Sequence, residues 1–275
     1  MTRGTSGQCV TCGSELAGEY CHNCGERTLK EPPTLLHFVG EAIGEAIDAD
    51  GRIVKTIRAL AFRPGRLTVE YIKGRRRPYL GPAAVFIVMN VLFFFVQPLA
   101  NLVTFNATLE SQTNWYPYSA WAETKVEAHL EEAGVAREDY ATRFDAASDN
   151  YARSLIFVQV PLFALCVALL QILRRRYFVE HLVYSTHFFA ALLFFNVAMS
   201  IVILVLWKAG VVSSFNFEIP FVLFIVAYLT LSLREVYADG WPGAMLKGVL
   251  LAFLCITVIQ LYRLILFFVT FWTVA

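Results

Sequence analysis

Four cysteines carry the clearest chemistry in this chain. The segment CVTCGSELAGEYCHNCG sets Cys9 and Cys12, then Cys21 and Cys24, as two CxxC pairs separated by eight residues, and Gly13 and Gly25 follow directly. A CxxC turn holds two thiolates about one tetrahedron edge apart, and the glycine lets the following amides point at sulfur. Two such knuckles close a four-thiolate shell. The pattern predicts a structural zinc ion, with rubredoxin-like iron as the competing metal. Two disulfides form a third reading, disfavoured in a reducing cytosol. His22 lies within the second knuckle, but four cysteines already complete the shell, so it reads as solvated. With every position filled, no site is left for substrate, and the metal should hold the fold rather than catalyse. A ribbon this short has too little core to stand without it.

A second set of reactive types lies inside an apolar run, where ionisable groups are costly and point to function. Glu180, His181, Tyr184 and His187 open that run, and Arg234, Glu235 and Tyr237 close the next one. With a bilayer edge at Val179, His187 is roughly 12 Å deep at 1.5 Å per residue. Glu180, Tyr184 and His187 share a helix face, while His181 lies about a third of a turn aside. Convergence of these groups would make a proton-handling, metal or headgroup site; the competing reading is an interhelical hydrogen-bond network. The spacing of Glu180, His181 and His187 matches neither HExxH nor a histidine box. Toward the opposite end, Gln97, Gln159 and Gln260 all fall in the outer half, and Arg263, one turn beyond Gln260, is either satisfied by those amides or snorkels outward. Cys166 and Cys255 are single thiols in apolar runs and read as packing.

The elements that must position these groups follow from composition. Hydrophobic residues make up 57% of the chain and charged ones 16%, against roughly 25% charged in soluble domains. The apolar residues are blocked into five segments, about Gly81–Val103, Leu155–Leu173, His181–Trp207, Ile219–Leu233 (extending to Val236) and Met245–Ala275, each near the ~20 residues that cross a bilayer. The expected fold is all-α: a polytopic helical membrane protein with about five transmembrane helices, a small N-terminal ribbon and an external helical loop. Residues 1–30 form the ribbon, 31–80 the amphipathic juxtamembrane helices and basic hinge, and 81–275 the five-span domain, with the loop at 104–153.

Charge fixes the expected orientation. Arg63, Arg66, Lys73, Arg75, Arg76 and Arg77 stand against Glu70 alone just before the first span, and Arg174, Arg175 and Arg176 form the turn between spans two and three. The loop at 104–153 carries nine acids against four bases. The positive-inside rule and span parity agree on a cytoplasmic N-terminus and an external C-terminus. No signal peptide is visible, so the first span acts as its own insertion signal. Leu36, Val39, Ile43 and Ile47, then Ile53, Ile57 and Leu60, recur at helical spacing. These pieces either pack on protein or lie along the membrane face with Lys55, Arg58 and Arg63 near phosphates. Lys73, Arg75, Arg76 and Arg77 are candidate ligands for lipid headgroups, anionic ones among them. In the loop, Ser119–Ala133 and Arg137–Arg153 read as helices, the second running on into span two.

The ribbon, the Arg63, Pro64, Gly65 sequence, the run Tyr71 to Arg76 and the proline entering the first span resemble the bacterial domain-of-unknown-function family numbered 3667. Glu180 to Tyr184 with His187, and Arg234 to Tyr237, are similar too. The resemblance implies a zinc-ribbon inner-membrane protein and implies no reaction.

Three readings of function stand. The first is a non-enzymatic adaptor, or a membrane-surface sensor or scaffold, with a cytosolic protein partner at the ribbon. The second is a membrane enzyme acting on lipid or isoprenoid substrates through Glu180, His181, Tyr184 and His187. The third is a transporter or lipid-handling protein, weakened by the absence of an inverted repeat. Nucleic-acid binding is not expected: Cys9 to Gly25 holds no Lys or Arg and one aromatic, Tyr20.

Overall fold

A computed structural model of the chain describes residues 8–26, 51–100, 107–211 and 218–274, with backbone alone at 98–100. The helical piece expected around Leu36 to Ile47 lies outside these residues. Beyond the ribbon the described chain is helical, and the ribbon carries one isolated bridge, Gln8 to Glu15.

Two short helices precede the apolar segments: α1, Arg52–Phe62, and α2, Arg66–Ile72. Next comes α3, Pro82–Ala100, a 19-residue apolar helix, or about 28 Å of rise. Pro82 sits at its first position, where the missing N–H has no helical partner to lose. Then come α4, Leu109–Asn114, α5, Ser119–Ala133, and α6, Arg137–Leu155. A 3-10 turn at Ile156–Val158 joins α6 to α7, Gln159–Leu170. Pro161 has no N–H to return to Phe157, and the helix tightens just where that bond would form. The long helices α8, Phe178–Lys208, α9, Glu218–Tyr237, and α10, Trp241–Val274, complete the order.

Among the described residues, four helical stretches are long and apolar enough to cross a membrane: Arg137–Leu170, Phe178–Lys208, Glu218–Tyr237 and Trp241–Val274. The remaining expected span is α3, shorter than these over its described residues. The two loop helices appear as read, with α5 at Ser119–Ala133 and α6 running on toward α7. The helix α4 was not foreseen.

The main core joins α3 and α7 to α10, with Phe93, Phe163, Phe188, Leu229 and Tyr262 buried within it. A second core lies at the far end, where Leu109, Ala122, Val126, Tyr140 and Phe144 enclose Phe267 of α10. The cap is thus seated on the last helix. Gly248 lets α10 approach α9 closely, since a Cβ there would meet Thr230 Oγ1 at 2.5 Å.

At the ribbon end, α1 packs against α8, and α2 lies against both α8 and α9. Leu67, Thr68, Glu70 and Tyr71 of α2 are buried. Gly65 adopts φ +86°, and a Cβ there would meet Ser232 O at 3.0 Å and Glu235 Cβ at 3.1 Å. Only glycine enters α2 in that conformation at that distance. The stretch read as a hinge is therefore partly a helix held in the bundle end.

Candidate metal centre and the polar end of the bundle

The two knuckles are built alike. In the first, Gly13 N donates to Cys9 O (2.9 Å) and Cys9 N to Ser14 O (2.7 Å); in the second, Gly25 N donates to Cys21 O and Cys21 N to Glu26 O, both at 2.8 Å. Gly13 and Gly25 have φ of 78° and 71°, the left-handed conformation that glycine adopts without a Cβ clash. The repeat places the four Sγ atoms within 4.8 Å of one another, with Cys9–Cys24 and Cys12–Cys21 both at 3.5 Å. A tetrahedral thiolate site with ~2.3 Å metal–sulfur bonds has edges of about 3.8 Å, so the donors fit a metal of that geometry. All four cysteines are free thiols. His22 is exposed and lies outside the ligand set.

The donor chemistry is uneven. Hydrogen bonding from Ser14 lowers Cys12 to about 6, whereas burial raises Cys24 to about 12. Thiols bind metal as thiolates, so loading the site releases protons.

Glu26 fixes the ribbon to the rest of the chain. Its Oε2 accepts from Arg76 N (3.1 Å), Arg77 N (3.0 Å) and Thr11 Oγ1 (2.6 Å), and the residue is 5% exposed. A carboxylate taking two consecutive amides is a strong, charge-assisted anchor. The Arg77 guanidinium lies against Gly25, 3.3 Å from where its Cβ would be. Sequence reasoning passed over Glu26, because its partners lie 50 and 51 residues away.

This contact places the headgroup candidates. Arg75 Nη1 lies 3.3 Å from Glu70 Oε2, and Arg66 Nη2 lies 3.0 Å from Glu70 Oε1. Arg76 stacks over the Tyr71 ring at 4.0 Å. Arg77 is engaged by the ribbon, and Lys73 is exposed. The run is thus largely tied to protein rather than presented as one cationic patch.

The span-three residues converge only in part: His181 and Tyr184 meet at Tyr237, while Glu180 and His187 turn elsewhere. Glu180 pairs with Arg176 one turn earlier (2.8 Å). His181 Nδ1 meets Tyr237 OH at 2.8 Å, its ring stacked on Tyr237, and Tyr184 OH meets Ser232 Oγ at 2.8 Å. His187 Nδ1 meets Thr68 Oγ1 at 3.0 Å. His181 and Tyr184 both reach α9, and the Tyr184 ring also packs edge-on against Tyr237 (5.5 Å between centroids), whereas Glu180 turns back to Arg176 and His187 reaches α2. Arg234 lies over Trp241 at 3.7 Å, and Glu235 approaches Arg66 at 3.9 Å. Among the described residues the four cysteines are the one cluster with metal-ligand spacing.

A further network escaped the sequence. Asp239 accepts from Gln171 Nε2 (2.9 Å), Arg174 Nη2 (2.6 Å) and Lys247 Nζ (3.1 and 3.2 Å), and Lys247 also donates to Gln171 Oε1 (3.0 Å). Burial raises the Asp239 carboxyl, but these three donors outweigh it and hold the carboxyl below its ordinary value. The two turns so joined each contain a left-handed non-glycine residue, Arg175 (φ 46°) and Ala238 (φ 54°). Such backbone persists where surrounding contacts over-determine it.

Arg263 lies over the Tyr116 ring at 4.5 Å, reaching out to the cap. Gln97 and Gln159 are buried; both amide atoms of Gln159, and Oε1 of Gln260, make no hydrogen bond among the described residues. Cys255 is buried and Cys166 half-buried, as packing thiols would be.

In comparison with known proteins, residues 50–94 match the family model described as Protein of unknown function (DUF3667). The match covers α1, α2, the basic run and most of α3, the stretch onto which the ribbon docks. No curated protein and no solved structure matches the chain.

Proposed function

We propose that this is a non-enzymatic scaffold of the bacterial cytoplasmic membrane, with a cytosolic N-terminus, an external C-terminus and a ribbon held by a structural zinc ion. The ribbon and helices α1 and α2 form one cytosolic platform, which recruits a protein partner or reads the membrane surface. The observation that carries this reading is the seat of Glu26 on the Arg76 and Arg77 amides. It makes the ribbon an integral part of the bundle end rather than a tethered module. Four thiolates fill a tetrahedral shell and leave no position for substrate. The intramembrane histidines are each engaged by a hydroxyl on another helix, which supports a packing role over a lipid-modifying one.

Chelator treatment of the detergent-purified chain tests the platform. Metal loss should unfold the ribbon and speed tryptic cleavage at Arg75 and Arg76, while the helices of the main core keep their amide protection. Equal cleavage with and without chelator would contradict the reading.

A further inference from the structure

Helix α1 has two faces, and the buried one does not account for the other. Thr56, Ala59 and Leu60 are buried, with Ile53 and Ile57 packed against the main core. The outward side carries Val54, 72% exposed, and Phe62, 80% exposed. Val54, Arg58 and Phe62 follow one another at four-residue steps, and Lys55 borders the same arc. Lys55, Arg58 and the adjoining Arg63 are all exposed. Two bare apolar side chains set among three cations are the composition of a helix lying on an anionic membrane surface.

Depth agrees with this assignment. Leu80 N donates to Thr56 Oγ1 at 3.0 Å, two residues before α3 begins at Pro82. The helix therefore sits where the chain enters the apolar layer. Charge agrees too. Glu70 is taken by Arg66 and Arg75, Asp239 by Arg174 and Lys247, and Glu180 by Arg176. With those acids compensated internally, the cations of α1 face outward unopposed by them.

We infer that the outward face of α1 is a docking surface for anionic phospholipid headgroups of the membrane in which the protein sits. Lys55, Arg58 and Arg63 take the phosphates, and Val54 and Phe62 enter the acyl boundary. This moves the lipid contact from the Arg75 to Arg77 run, which the ribbon and α2 occupy, to the helix before it. It rests on the proposal that the ribbon end lies at the cytoplasmic leaflet.

The test is hydrogen–deuterium exchange of residues 52–63 in the full chain, reconstituted in nanodiscs of phosphatidylcholine alone or mixed with phosphatidylglycerol. Each cation near an anionic surface is worth about fivefold in local affinity. Exchange should therefore slow on the order of tenfold or more in the anionic discs, and Lys55→Gln/Arg58→Gln/Arg63→Gln should abolish the difference. Phe62→Ser should speed exchange in both lipids. Unchanged α5 exchange reports that each variant folds; should a variant fail this control, high salt on wild type asks the same question and should remove the difference. Equal exchange in both lipids would overturn the proposal. So would a difference that survives the charge variant or high salt, or protection that appears with soluble poly-glutamate and not with lipid. Nanodiscs expose both faces, so a wrong orientation would leave this result standing and would show instead in side-specific labelling of the ribbon in closed vesicles.

Discussion

Thr68 Oγ1 stands 3.0 Å from His187 Nδ1, joining residues 119 positions apart. His187 is 4% exposed and Thr68 1%, so neither has water as an alternative partner. The hydrogen bond ties α2 to the N-terminal part of α8, and through Glu26 the ribbon shares that footing.

Thr68→Val keeps the shape of the contact and removes its hydroxyl. A buried ring nitrogen left without its partner costs about 1–3 kcal/mol. Thermal unfolding in detergent should show that loss, while metal content stays at the wild-type value. A variant as stable as wild type would mean that His187 finds another partner.

Glu26→Gln replaces a charged acceptor with a neutral one at the Arg76 and Arg77 amides. Hydrogen bonds to charged groups contribute about 1.5–3 kcal/mol, so opening of the contact should rise at least tenfold. Tryptic cleavage at Arg75 and Arg76 should accelerate accordingly, with the metal retained. Loss of the metal instead would show that Glu26 acts on the ribbon's own fold.

Gly65→Ala introduces a Cβ 3.0 Å from Ser232 O, at φ +86°. The strain, of order 1–3 kcal/mol, should appear as a lowered unfolding temperature and faster exchange across α2. Gly18→Ala serves as the control, because nothing lies within 4 Å of its Cβ position.

Asp239→Asn removes the acceptor shared by Arg174 and Lys247, at an expected cost of about 2 kcal/mol. The sign of its pH dependence follows from the lowered carboxyl pKa. A carboxyl depressed on folding stabilises above its unfolded value, near 3.8, and that contribution fades as pH falls through the lower folded value. The stability gap between wild type and variant should hold near neutrality and close only below about pH 4.

The sequence disclosed whatever is periodic or locally spaced. The knuckles were legible because each closes within five residues, and α5 and α6 because their apolar positions recur at helical spacing. Contacts between distant segments were not legible. Glu26 looked like any acid after a glycine, Thr68 like a helix residue, and Asp239 like a turn residue. Their roles depend on which helix packs on which, and helical spacing leaves that open. The same reason explains why Glu180, Tyr184 and His187, aligned on one face, do not meet: each reaches the neighbour nearest to it, namely Arg176, Ser232 and Thr68.

A structural metal that belongs to the ribbon shows itself in the metal content per chain. Detergent-purified wild type would be compared with a variant in which Cys9, Cys12, Cys21 and Cys24 are serine, and with His181→Ala/His187→Ala. Wild type and the histidine variant should each hold one zinc per chain, and the cysteine variant none. Metal that survives the cysteine changes and disappears with the histidines would contradict this and place a metal site inside the bundle.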